Sequence, residues 1–177
     1  PSDNAELEIY ITENATNKLS INNEIKAKLI ENAAEKSVEL NAKATIQTIK
    51  NAGTIFINRG ILTAENYESI SGKINLREGA TLEITTEGEK SVPELIVEKT
   101  DDENDFATIS TNGNLTISNA TYNNADIKTK GNITLPETTV TTNEIGNLNV
   151  ASGTTSIETI NANSISVETS ARLEVSS

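Results

Sequence analysis

The sequence predicts an all-β protein, a single-stranded right-handed parallel β-helix of about nine coils of about 18 residues each. Three observations predict it. An apolar-x-apolar triplet recurs along the chain at steps of 15 to 21 residues. The apolar residues are aliphatic: Ile 22, Leu 12 and Val 7, against the five aromatics Tyr10, Phe56, Tyr67, Phe106 and Tyr122. The polar remainder is dominated by Thr 24, Asn 23 and Ser 15, with Gly 9 and Pro 3. Thr and Ile favour strands, and Asn favours tight corners.

The whole chain, 1–177, reads as one solenoid domain. Residues 1–18 come first, where Leu7, Ile9 and Ile11 alternate as in a strand that caps the lower end. The coils then run from 19 to 175. Their triplets are Leu19-Ser20-Ile21, Val38-Glu39-Leu40, Ile55-Phe56-Ile57, Ile74-Asn75-Leu76 and Leu95-Ile96-Val97. They continue as Leu115-Thr116-Ile117, Ile133-Thr134-Leu135, Leu148-Asn149-Val150 and Ile165-Ser166-Val167. Alternation turns the first and third residue of each triplet to one side of a strand. Coils that return the strand one layer higher would stack those residues in columns that no single coil could bury alone. Nine layers at about 4.8 Å give a rod roughly 40–45 Å long. Handedness follows from the general preference for right-handed parallel crossovers.

The first two coils agree beyond the triplet. Ile25, Ala27, Ile30 and Ala33 recur nineteen residues on as Ala44, Ile46, Ile49 and Ala52. Asn22, Asn41 and Asn58 each follow a triplet, which predicts a ladder of stacked side-chain amides. Ala80, Leu82 and Ile84, and Ala171, Leu173 and Val175, predict a second strand face in their coils. Glu24–Lys36 taken alone has helical spacing and good helix formers. Its match to the segment carrying Thr45, Thr48 and Asn51-Ala52-Gly53 favours a strand. The pattern breaks at 86–93 and again at 99–106, where KTDDENDF predicts an acidic loop bulging from one side. No capping helix follows Val175, so the rod could continue in a longer protein or end against a partner. Exposed end coils also allow end-to-end self-association.

Composition excludes several function classes. The chain has no Cys and no His, which removes disulfides, thiolate metal sites and the commonest general base. The net charge of −12 sets it against nucleic acid and anionic membranes, and no apolar run could span a bilayer. The opening Pro1-Ser2-Asp3-Asn4 reads as a mature or trimmed start.

Few residues carry chemistry. Asp101, Asp102 and Asp105, with Glu103 and Asn104, could ligate calcium, but their spacing is not that of a calcium loop, and a solvated acidic loop is the favoured reading. No other cofactor is expected. Glu39, Glu78, Glu83, Glu98 and Glu168 supply carboxylates for glycoside hydrolysis in number only, and outward strand positions make them surface charges. Phe56, outward in its triplet, and Tyr67 and Tyr122 are the candidate ligand-binding aromatics; the two tyrosines could as easily close corners. A flat Thr array for ice binding would need Thr in register on successive coils, and Ser20, Glu39, Phe56 and Asn75 interrupt it. Asn14, Asn114, Asn119 and Asn132 match the glycosylation pattern, as chance allows in so Asn- and Thr-rich a chain.

Gly113-Asn114-Leu115-Thr116-Ile117 and Gly131-Asn132-Ile133-Thr134-Leu135 resemble coils of the β-helical surface and secreted proteins of bacteria, including adhesin-like proteins. The resemblance is architectural and spans about Leu19 to Val175. It implies a non-enzymatic rod outside the cell, a spacer or adhesive surface with a glycan or protein ligand. The alternative is a carbohydrate-active enzyme or carbohydrate-binding module on the same scaffold.

Overall fold

The computed structural model describes residues 7–16, 18–69, 71–101, 105–138 and 143–176. Every regular element among them is a strand: β1 (Glu8–Ile11), β2 (Leu19–Ile21), β3 (Ile25–Asn32), β4 (Ser37–Leu40), β5 (Ala44–Asn51), β6 (Thr54–Ile57), β7 (Gly60–Glu68) and β8 (Lys73–Arg77). There follow β9 (Ala80–Ile84), β10 (Glu89–Glu98), β11 (Ala107–Thr121), β12 (Ile127–Leu135), β13 (Ile145–Ile157), β14 (Ala162–Val167) and β15 (Ala171–Val175). All pairings are parallel, and they stack about eight turns of about nineteen residues. At about 4.8 Å per layer the rod is about 38 Å long.

The pairings form three ladders, the first of which ends at β11 among the described residues. The first joins β2, β4, β6, β8, residues 94–98 of β10 and residues 119–121 of β11. The second runs from residues 25–27 of β3 through β5, β7, β9, β11, β12 and β13 to β14. The third is in two pieces. Its lower piece is β1, 29–32 of β3, 48–50 of β5 and 66–68 of β7. Its upper piece is 89–92 of β10, 114–117 of β11, 132–135 of β12, 155–157 of β13 and β15. Strands β7 and β10 do not pair with each other, so the third ladder is interrupted between Glu68 and Glu89.

The expected columns form where the coils keep one length. Leu19 pairs with Val38, Val38 with Ile55, Ile55 with Ile74, and Ile74 with Leu95. Leu95 then pairs with Ala120, not Leu115. Leu115 and Ile133 belong to the third ladder, and Leu148 and Ile165 to the second. The nine triplets are thus drawn from three faces, which is why the observed turns are fewer and longer than expected. Two smaller shifts go with this. Ala80 stacks on Gly60 while Leu82 continues the Ile25, Ala44 and Leu62 column, and Leu173 stacks on Thr155 in the third ladder.

Strand β3 replaces the helical alternative for 24–36, and its Ile25, Ala27 and Ile30 pair with Ala44, Ile46 and Ile49 as the nineteen-residue repeat requires. The core is a narrow aliphatic column; Val38, Ile46, Leu62, Ile74, Leu82, Ile109 and Ile127 are fully buried. In the upper coils it admits hydroxyls: Thr129 and Thr155, both fully buried, share a hydrogen bond of 2.7 Å across the interior. Corners close tightly. A Cβ on Gly72 would lie 2.2 Å from the Asn51 carbonyl oxygen, so the backbones can approach this closely only at glycine. In the segment 1–18, residues 1–6 and 17 lie outside the described residues; Glu8–Ile11 pairs beneath β3 as the lowest rung of the third ladder.

Candidate functional site

The outer Asn ladder forms as the sequence predicts. Asn58 Nδ2 donates to Asn41 Oδ1 at 3.0 Å, and Asn41 Nδ2 donates to Asn22 Oδ1 at 2.8 Å. A second ladder lies inside. Asn32 Nδ2 donates to Asn51 Oδ1 at 2.9 Å, and Asn51 Nδ2 donates to the Tyr67 hydroxyl at 3.2 Å. These amides also hold the corners, through the Lys36 and Thr54 carbonyls for Asn32 and the Lys73 carbonyl for Asn51. The nineteen-residue step from Asn22 to Asn41 also relates Asn32 to Asn51.

A groove of about 860 Å³ runs along this corner, within the size range of ligand sites. Ala33 and the exposed Ala52 line it on one side, and Glu89, Lys90 and Ser91 line it from beyond the interruption in the ladder. The interruption has a local cause. At 69–72 the long corner follows the third-ladder strand, whereas in the next coil, at 85–88, it precedes that strand. The strand segments 66–68 and 89–92 are therefore offset around the perimeter and leave a concavity between them. Lys90 Nζ reaches back across it to Asn66 Oδ1 at 3.3 Å. The rim carries Glu31, Lys50 and Glu68, which are neighbours in successive coils.

The candidate aromatics part company. Phe56 is on the outer face, between Glu39 and Asn75 in adjacent coils, and is half-buried. Tyr67 faces inward and is 3% exposed at the base of the groove; burial raises its phenol above the ordinary value. Tyr122 is fully buried, its hydroxyl has no partner, and burial raises its phenol too. Its ring is sealed in the coil and presents no surface to a ligand, because an inward position and a corner coincide there. Phe106, which closes the acidic insertion, lies 5.2 Å from Lys128 Nζ, a cation–π distance.

Asp101 and Asp105 line a second concavity of about 560 Å³ with Asn58, Arg59, Arg77 and Glu78. Asp102, the third residue of the calcium expectation, lies outside the described residues, as do Glu103 and Asn104. Among the described residues no three acidic side chains converge on a metal position.

The carboxylates do not share one environment. Glu39 is outward and accepts from Lys18 Nζ at 2.6 Å, a bond that lowers its pKa below the usual carboxylate value. Glu83 accepts from Thr63 Oγ1 at 2.9 Å, and Glu98 from Asn75 Nδ2 at 2.8 Å and Arg77 Nε at 3.3 Å. Glu78 corrects the expectation of a surface charge, being only 5% exposed. Its Oε2 accepts from the Thr100 amide at 2.7 Å and the Thr100 hydroxyl at 3.3 Å, and its Oε1 accepts from the Asp126 amide at 2.7 Å. The Glu78 carboxylate thus ties Thr100 to Asp126, on either side of the acidic stretch 99–106, whose residues 102–104 lie outside the described ones. The chain of polar contacts climbs on: Asp126 Oδ1 accepts from the Asn147 amide at 2.7 Å, and Ser164 Oγ donates to Asn147 Oδ1 at 2.6 Å. Nothing local in Arg77-Glu78-Gly79 marks this role in the sequence.

Thr116 and Thr134 are adjacent on the third face, but their column continues as Ser91 below and Ser156 and Glu174 above. Of the other paired threonines, Thr139, Thr141 and Thr142 lie outside the described residues. Asn14, Asn114, Asn119 and Asn132 are all exposed. No helix among the described residues is long and apolar enough to cross a membrane.

Fold and surface together define the class: an all-β parallel solenoid with one corner groove and polar outer faces. No family model, no curated protein and no solved structure matches the chain.

Proposed function

We propose that this chain is a non-enzymatic extracellular module, a rod-like spacer or adhesive surface on a bacterial cell. The observation that carries the reading is the tie between layers. Parallel ladders join coil to coil, and outward charges pair one coil apart: Lys18 with Glu39, Lys28 with Glu8, Lys43 with Glu24, Lys73 with Glu94, and Arg77 with Glu98. Such construction supports a stiff element whose length is set by the number of coils. The adhesin-like resemblance of the glycine-led coils supports a location at the cell surface.

A carbohydrate-binding or carbohydrate-active module on the same scaffold is the second reading, and the corner groove favours it. A glycan array on the purified chain separates the two. A plain spacer retains no glycan selectively. Selective retention lost in Ala52→Trp, which fills the groove at an exposed alanine, supports the binding module and sinks the plain spacer. Loss in Phe56→Ala instead moves the contact to the outer face.

A further inference from the structure

We propose that Asn112 is a self-modification site. The backbone amide of Gly113 closes on the Asn112 side chain, and the cyclic imide then opens in water to aspartate and isoaspartate. The inference goes beyond the rod reading and does not depend on it. Of the 23 asparagines, Asn112 alone is followed by glycine. Ring closure needs the amide nitrogen of the next residue within bonding reach of the asparagine Cγ. A side chain on that next residue obstructs the approach, and glycine has none.

The fold leaves this one step free of the ladders. Thr111 pairs with Ile84 in the second ladder, and Asn114 pairs with Glu89 in the third. Toward β12 the register also shifts between Ser110 and Asn114. Asn112 and Gly113 therefore form the corner between two faces and have no rung of their own among the described residues. The Gly113 amide donates to the Thr111 hydroxyl, two residues back, at 3.2 Å. Asn112 is exposed, and its Nδ2 donates to the carbonyl of Thr85 in the coil beneath at 3.2 Å. Its carboxamide thus stands within reach of water. Asn32, Asn51 and Asn75 differ on both counts: they are buried, and their amides are tied to other coils.

The step is balanced by water alone. Hydroxide takes the proton of the Gly113 amide, and the nitrogen attacks Cγ. The N–Cγ bond forms, the Cγ–Nδ2 bond breaks, and Nδ2 leaves as ammonia with a proton from water. Water then adds to one of the two ring carbonyls. Breaking the bond at Cγ gives aspartate. Breaking it at the Asn112 main-chain carbonyl gives isoaspartate, whose side-chain methylene has joined the backbone. Either product lacks Nδ2 and loses the bond to Thr85. Isoaspartate also lengthens a corner that has no slack, since a Cβ on Gly113 would already run into the Gly88 carbonyl. The adjoining contact is the bond of 2.8 Å from the Asn114 amide to Gly88, beside the lowest rung of the upper third ladder.

Ageing the full chain in mildly alkaline buffer, with and without urea, tests this. Fragment-ion mass spectrometry then places each change residue by residue. In the folded chain Asn112 should gain one mass unit several-fold faster than any other exposed asparagine. The product should be two isomers that separate by chromatography, and the rate should rise in proportion to hydroxide. Asn112→Gln, folded by circular dichroism, should keep its mass at that position over the same period, because a longer side chain closes a less favourable ring. A folded chain in which Asn112 reacts no faster than Asn114 or Asn119 overturns the inference. So does conversion confined to the urea sample, because the folded corner then holds the nitrogen away from Cγ. A product that is aspartate alone also overturns it, in favour of direct hydrolysis without the ring.

Discussion

Removing the Glu78 carboxylate should weaken the rod at the corner where it holds Thr100 and Asp126. Glu78→Ala takes away the acceptor for the Thr100 amide and the Asp126 amide, both at 2.7 Å, and for the longer Thr100 hydroxyl contact at 3.3 Å. A buried donor left without a partner costs about 1–3 kcal/mol. Both amides belong to half-buried residues, so water replaces part of the loss. The sum is about 2–4 kcal/mol, taking two orphaned donors at the lower half of that range. Glu78→Gln keeps one carbonyl oxygen and turns an NH2 toward the other amide, so it should lose about half as much. Urea unfolding followed by far-ultraviolet circular dichroism reads the midpoint for each variant, with the slope checked for constancy. The backbone next to Thr100 should also become the first site of limited proteolysis. Two variants within about 0.5 kcal/mol of wild type, the range of ordinary surface changes, would refute the idea that Glu78 fastens Thr100 to Asp126.

Other expectations follow from the interior. Asn51→Leu breaks the inner amide ladder, leaves the Lys73 carbonyl and the Tyr67 hydroxyl without their donor, and should cost about 1–3 kcal/mol by the same urea assay. Tyr122→Phe should behave oppositely: its hydroxyl is buried without a partner, so the midpoint should hold or rise. The phenols of Tyr67 and Tyr122 are both raised by burial from 10.0. The unfolded chain therefore ionises first, stability is intact below pH 10 and falls as pH climbs above it, and Tyr122→Phe should flatten that fall in melting curves across the alkaline range. Gly72→Ala drives a Cβ into the Asn51 carbonyl and should lower the melting temperature, whereas Lys18→Ala removes an exposed ion pair and should change stability by less than about 1 kcal/mol.

Much of the fold is legible in the residues because a solenoid repeats its constraints. Asn22, Asn41 and Asn58, and the five triplets from Leu19 to Leu95, keep near-constant spacing, and a constant spacing in sequence becomes a column in space. Beyond Leu95 the rule misleads. The next triplet starts twenty residues on, at Leu115, but the pairing residue is Ala120, because that coil holds more residues than those below it. Alternation has the same form on all three faces, so a triplet bears no mark of the face it occupies. Tyr67 and Tyr122 were ambiguous for a related reason: a bulky ring near a corner can turn either way, and the choice depends on the coil above. The groove was beyond reach because it arises from a shift of corner position between 69–72 and 85–88, a relation between coils rather than a property of any segment. Glu78 shares that difficulty, since one of its partners, Asp126, is 48 residues away.

The Asn ladders, whose members lie 19 or 17 residues apart, make this molecule a ruler graduated in whole coils. Excising 23–41, or duplicating it, would change its reach by one step of about 4.8 Å and leave an asparagine above each remaining asparagine on the outer corner. Length in such a protein is a counted quantity. Recombination between neighbouring repeats can adjust it a whole coil at a time, and because the Leu19, Val38, Ile55, Ile74 and Leu95 column holds its register over steps of 19, 17, 19 and 21 residues, the corners absorb differences in coil length.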